Sequence, residues 1–210
     1  KEFLISDAVY SRLNQFFSKR KFRIGGNGFN MGNMLLLSGF KPIVSFPVRS
    51  VKLMENSPEL SVVSGDRLIK PKESVRFNDQ DYDHIIIELE DSRHILTWDP
   101  MVSQGIFDYD FLDFACDRDN IDILVLAYAH LLLPEYKKRT DEIIDSLDIK
   151  RPKVHLEFCL GSMESMKYAI EKFSEKKCCE SFGLNEKECK LYFNAASEDK
   201  KDLIEATLNA

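Results

Sequence analysis

Val154-His155-Leu156-Glu157-Phe158 is a β-prone segment between two helical stretches, and its reading decides the fold. Upstream, Pro134 to Leu147 reads as a helix with proline at its start, where the missing N–H costs nothing. Downstream, Ser162 to Ser174 reads as a second helix. Asp122 to Ala127 is a continuous apolar strand, and Ser181 to Leu184 is a short one. Two further helical stretches, Glu186 to Phe193 and Glu198 to Leu208, close the chain. Strands separated by single helices call for right-handed crossovers, so from about residue 107 onward the pattern predicts a parallel sheet with helices on both faces.

Toward the N-terminus the rhythm differs. Asp7 to Arg20 has apolar residues at 9, 10, 13, 16 and 17, one helical face, with Ser6 or Asp7 as cap. A basic cluster (Lys19, Arg20, Lys21, Arg23) precedes Gly25-Gly26-Asn27-Gly28, which reads as a glycine-rich loop running into a helix that stops at Ser38-Gly39. Pro42 to Phe46 is a short β run. Residues 61–98 hold five β-prone pieces: Val62-Val63, Leu68-Ile69, Ser74 to Phe77, Ile85 to Leu89 and Ile95 to Trp98. Turn clusters such as Ser64-Gly65-Asp66 and Asn78-Asp79-Gln80-Asp81 separate them, which predicts a small antiparallel sheet with solvated edges. The expected organisation is therefore a large α/β domain, residues 1–60 and 99–210, carrying a small β insertion over 61–98.

Composition sets the bounds. The 210 residues, 24.3 kDa, are 44% hydrophobic and 11% aromatic, enough for a packed core and against disorder. With 29 basic and 35 acidic side chains the formal charge is −6, so the chain has no general attraction for nucleic acid or anionic membrane. The longest apolar run, Ile123 to Leu133, is broken by His130 and falls short of the roughly 20 residues a membrane span needs. The first residues lack signal-peptide architecture. Five cysteines include no Cys-x-x-Cys pair, which predicts reduced thiols and a cytoplasmic protein.

Few residues carry chemistry. The glycine loop is either a tight turn needing positive φ or a backbone cradle that aims N–H groups at ligand oxygens. It lacks the Lys-Ser/Thr that ends a P-loop. His155 and Glu157 share a strand face by alternation, as a strand-end polar pair or a metal-linked carboxylate. Asn185 caps a helix whose first turn holds Glu186 and Glu188. Those carboxylates either satisfy the dipole or hold a hydrated Mg²⁺ beyond the carboxyl ends of the strands. His130, after the strand at 122–127, is either a satisfied half-buried histidine or a donor to a substrate hydroxyl. Histidines and cysteines do not cluster at zinc spacing.

Taken in order, Arg23-Ile24-Gly25-Gly26-Asn27, His155-Leu156-Glu157 and Gly183-Leu184-Asn185-Glu186-Lys187-Glu188 resemble the ADP-dependent glucokinase and phosphofructokinase family of ribokinase-like sugar kinases. The resemblance runs from about Asp7 to Phe193. It implies a ribokinase-like layered sheet with a β lid, closing over glucose or fructose 6-phosphate to accept the β-phosphoryl group of ADP and release AMP. Carried over by position, Gly25, Gly26 and Asn27 line the sugar site, with Glu88 of the lid and His130 reaching sugar hydroxyls. Glu157 and Glu188 organise Mg²⁺ and its waters. One cleft is expected to gather Asn27, Glu157 and Glu188.

The chain also departs from the family. Gly28 stands where the family has alanine, and Ala127-Tyr128-Ala129 precedes His130 where the family tends to Ser-Gly. The Gly-x-Gly-Asp string that supplies the family's catalytic base does not occur, and the family's first strand would precede Lys1. The expectation is thus the middle of a kinase, inactive by itself and with no catalytic residue of its own; the alternative is a non-catalytic sugar- or nucleotide-binding relative.

Overall fold

The computed structural model describes residues 2–17, 19, 21–98, 106–118, 121–128, 135–147, 152–158 and 162–193. Two compact units divide the chain at Asp108/Tyr109. This boundary differs from the expected one, because residues 61–98 share a core with residues 44–60 and belong to the same unit.

In the first unit, β1 (Glu2–Leu4) leads into α1 (Asp7–Phe16), whose N-terminus is capped by the Ser6 hydroxyl accepting the Val9 N–H at 3.4 Å. Helix α2 (Asn27–Leu37) ends in a full Schellman motif: Gly39 at φ 85 donates to Leu36 O and Phe40 donates to Leu35 O, both at 3.0 Å. The Ser38-Gly39 stop is as expected. A short helix α3 (Val51–Asn56) begins at Ser50, whose hydroxyl accepts the Leu53 N–H. Six residues are too few to show a periodicity in sequence.

The expected single small sheet is instead two. Strands β2 (Val62–Ser64) and β3 (Arg67–Ile69) form a hairpin, with Gly65 at φ 60 in the first turn position, where this type of two-residue loop takes glycine. Strands β4 (Ile85–Glu88) and β5 (Arg93–Thr97) pair antiparallel, and β1 adds to β5 in parallel, giving the order β1-β5-β4. The expected strand at 74–77 is absent. A 3₁₀ turn at Pro71–Ser74 runs into its first residue, closed by the Ser74 hydroxyl on Pro71 O at 2.7 Å. Pro42 to Phe46 contributes one parallel bridge, Ile43 to Ser61, rather than a strand.

Val44, Phe46, Met54, Leu60 and Val62 make the core of this unit, with Phe29, Leu36, Leu53 and Val75 packed against it. Each such side chain contributes about 1.5–3 kcal/mol on full burial. The turn cluster at 78–81 has a structural task. Asp79 accepts the Arg49 backbone N–H at 2.7 Å, Asp81 accepts the Ser50 hydroxyl, and Asp83 pairs with Lys52, so alternate acidic residues line up along the start of α3.

The second unit follows the expected alternation. Helix α4 (Tyr109–Cys116) precedes β6 (Ile123–Tyr128), α5 (Tyr136–Leu147), β7 (Lys153–Phe158), α6 (Met163–Glu175), β8 (Ser181–Gly183) and α7 (Glu186–Phe193). The three strands are parallel in the order β6-β7-β8. Val154, Leu156 and Phe158 are buried and alternate with less buried residues, so one face of β7 packs inward. Ile143, Ile144, Leu147, Met166, Ala169 and Phe173 supply the helical side of that core. Sequential strand order with right-handed crossovers sets α5 and α6 on the same face. Helices α4 to α7 each pack on the next in one row. The expected second helical layer is not found among the described residues of this unit. On the solvent side Tyr109 donates to Glu142, Tyr136 to Glu164 and Tyr168 to Asp141, each at 3.0 Å, joining α4, α5 and α6. The helix expected at 198–208 lies outside the described residues.

Candidate functional site

The carboxyl ends of β7 and β8 bring two of the three sequence motifs together. Register pairs His155 with Ser181, Leu156 with Phe182 and Glu157 with Gly183. Alternation then sets His155, Glu157, Ser181 and Gly183 on one face, opposite the buried Leu156. The imidazole is held from both sides: Nδ1 lies 2.8 Å from Ser181 Oγ and Nε2 lies 3.4 Å from Glu157 Oε2. His155 and Glu157 are both half-buried, with side-chain exposures of 30% and 35%.

Two residues beyond β8, Asn185 starts α7. Its Oδ1 accepts the N–H groups of Lys187 and Glu188 at 3.0 and 3.1 Å, while Glu188 Oε2 accepts the Asn185 N–H at 2.8 Å. This is a reciprocal capping box, and it satisfies orphan donors at the start of the helix. Glu188 is 1% exposed, and its Oε1 lies outside the box. Burial first, and then the adjacent Glu188 charge, push the Cys189 thiol up from its ordinary value. The Cys179 thiol is likewise raised, chiefly by burial. Both stay protonated near neutrality and are poor nucleophiles.

In the first unit, Gly26 is the N-cap of α2 at φ 93, a backbone that only glycine adopts freely. The turn explanation therefore holds at Gly26. Gly25 and Gly28 carry no such requirement, and nothing lies within 4 Å of where their β-carbons would be. Gly25, Gly26 and Asn27 are exposed, so the first turn of α2 presents its unpaired N–H groups to solvent. Glu88 sits on the edge strand β4, opposite Arg93, with its carboxylate 3.9 Å from the guanidinium and 76% exposed. His130 lies outside the described residues.

Among the described residues no three His, Cys, Asp or Glu side chains gather at metal-binding distance. Mg²⁺ needs no such cage, since it keeps several waters and takes one or two carboxylates. Glu157 suits that chemistry: it is a hard oxygen donor lying in the gap left by the missing β-carbon of Gly183. Strand alternation alone sets Glu157 on the face of His155, but no local signal points to Ser181 or Gly183. Only the register of β8 against β7 makes them neighbours of the motif.

No protein-family model, curated protein or solved structure matches the chain. No helix among the described residues is long and apolar enough to cross a membrane.

Proposed function

We propose that the chain is part of an ADP-dependent sugar kinase of ribokinase-like architecture, one that passes the β-phosphoryl group of ADP to glucose or fructose 6-phosphate. One observation carries the reading: the His-x-Glu strand and the Asn-x-x-Glu helix start, separate in sequence, meet at the ends of adjacent parallel strands, with Glu157 in register with Gly183. Ligands of parallel α/β sheets bind beyond that edge.

In this reading Glu157 and Glu188 would hold Mg²⁺ through its waters, and the bound ion would supply positive charge against the diphosphate. The exposed amides at the start of α2 and the Asn27 side chain bind sugar hydroxyls. Glu88, on the lid strand, accepts a hydrogen bond from a further hydroxyl, and His130 is assigned to the sugar by resemblance alone. The acceptor hydroxyl must lose a proton, and the chain holds no Gly-x-Gly-Asp to take it. Phosphotransfer by these 210 residues alone is therefore expected to be at background.

Calorimetric titration with ADP, with and without Mg²⁺, together with an AMP-release assay on both sugars, tests the proposal. ADP binding strengthened by Mg²⁺ and preferred over ATP supports it. Absence of ADP binding, or indifference to Mg²⁺, refutes it. The missing base string favours a second reading, a non-catalytic sugar- or nucleotide-binding relative. That reading predicts sugar or ADP binding without turnover when the full-length product of the same gene is assayed, whereas turnover by that product supports the kinase.

A further inference from the structure

We propose that Ser181 and Gly183 are positioning residues that set where the Glu157 carboxylate sits and how His155 faces it. The metal-binding consequence rests on the kinase reading; the positioning does not.

Gly183 acts by having no side chain. A β-carbon there would lie 1.9 Å from Glu157 Oε2, 2.9 Å from its carboxyl carbon and 3.1 Å from His155 Nε2. The carboxylate therefore occupies the volume that any other residue at 183 would fill. A parallel register without a bulge makes this pairing obligatory, because Glu157 and Gly183 are direct neighbours across the ladder. Gly183 has no positive φ, so backbone conformation does not account for glycine at this position.

Ser181 acts two residues earlier on the same face. Its hydroxyl, 2.8 Å from His155 Nδ1, holds the ring so that Nε2 is directed at Glu157. With the carboxylate as acceptor, the proton belongs on Nε2, and Nδ1 accepts from the serine. Ser181, His155 and Glu157 thus form a short polar chain laid across two strands, and Gly183 keeps its far end open. A carboxylate fixed in this way, half exposed near the carboxyl end of the central strand, presents its oxygens with little freedom left to lose on taking up a hydrated cation.

The test uses the 210-residue chain and two readouts. Without metal, the ¹⁵N spectrum of the His155 ring is recorded for the native chain, Glu157→Gln, Gly183→Ala, Ser181→Ala and Ser181→Thr. The clashing atom is the end of a flexible side chain, so Gly183→Ala is expected to fold, which far-UV circular dichroism checks. Its ring spectrum should differ from the native one, because the displaced carboxylate no longer faces Nε2. Ser181→Thr should resemble the native spectrum and Ser181→Ala should not. A native-like ring spectrum in both Gly183→Ala and Ser181→Ala would overturn the proposal.

With Mn²⁺ and ADP, water-proton relaxation should show roughly tenfold weaker Mn²⁺ binding in Gly183→Ala and Ser181→Ala, restored in Ser181→Thr. Native affinity in both Ala variants alongside a weak Glu157→Gln would also overturn it. If Glu157→Gln binds Mn²⁺ like the native chain, the kinase reading loses its metal ligand, and the ring spectra alone decide the positioning.

Discussion

Asp108, the last residue of the first compact unit, is ion-paired with Arg49 at 3.5 Å, and both side chains are almost fully buried. Ser45 Oγ also donates to the Asp108 carboxylate at 3.0 Å, and Arg49 Nε donates to Phe46 O at 3.1 Å. Two buried charges persist because each satisfies the other. Removing one leaves the other desolvated, so Asp108→Ala should cost about 3–5 kcal/mol. The single tryptophan, Trp98, lies in this unit against Tyr10 and Tyr82, so its fluorescence during urea unfolding reads the loss locally. Replacing both partners, Arg49→Met with Asp108→Leu, should recover most of the loss; a double variant as unstable as the single would contradict the pairing.

The capping box separates two roles of Glu188. Asn185→Ala removes the acceptor for two N–H groups and should lower stability by about 1 kcal/mol. Glu188→Gln keeps an oxygen for the Asn185 N–H, so its melting temperature should stay near native. If Glu188 also serves Mg²⁺, the same variant should lose most of the Mg²⁺ dependence of ADP binding in calorimetry. Unchanged Mg²⁺ dependence would leave Glu188 as a cap alone.

Lys177 is the one non-glycine residue with positive φ among those described, at 53°. It occupies the Schellman position after α6, where Lys177 N–H donates to Ser174 O and Cys178 N–H to Phe173 O, both at 3.0 Å. Lys177→Gly relieves the left-handed strain and should stabilise by about 0.5–1 kcal/mol, read as a higher urea midpoint at unchanged slope.

Two glycines of α2 should respond in opposite directions. At Gly28 a β-carbon meets nothing within 4 Å, so Gly28→Ala should raise stability by about 0.5–1 kcal/mol. At Gly32 the same atom would lie 2.5 Å from Val44 Cγ2, in the core. Gly32→Ala should therefore destabilise by about 1–3 kcal/mol, and adding Val44→Ala should relieve much of it. Thermal melts of the three variants decide.

Burial, and secondarily Asp113 and Asp117, push the Cys116 thiol up to about 11. The unfolded chain loses this proton near pH 9 while the folded chain retains it to about pH 11, so the folded state binds more protons in that window. Stability should then fall as pH rises from 9 to about 11, and Cys116→Ala should flatten that slope in urea melts. Alkylation of Cys116 at pH 8 should be slow until the chain unfolds.

Much of the second unit was legible in the sequence. The apolar run at β6, the β-prone segment at β7, the helical periods between strands, the Ser6 cap of α1 and the Ser38-Gly39 stop of α2 are local signals, set by side-chain spacing and by backbone groups within a few residues. The shared face of His155 and Glu157 follows from strand alternation alone. What stayed hidden was non-local. Strand β1 pairs with β5 more than ninety residues away, the acidic residues 79, 81 and 83 align on α3, and Asp108 reaches back to Arg49. The segment at 74–77 has β-prone residues, yet Pro71 and the Ser74 hydroxyl close a 3₁₀ turn just before it.

The sequence by itself determined the strand–helix alternation from β6 onward, the mixed α/β class and the two motif strings, because propensity, periodicity and capping act over short stretches of chain. Tertiary structure alone decided the register of β8 on β7, and with it the placing of Glu157 in the gap at Gly183 beside an imidazole steadied by Ser181. Register is a choice among alternative pairings of distant segments. Its energy comes from how well the opposed side chains fill or vacate shared space, and no stretch of sequence read singly contains that sum.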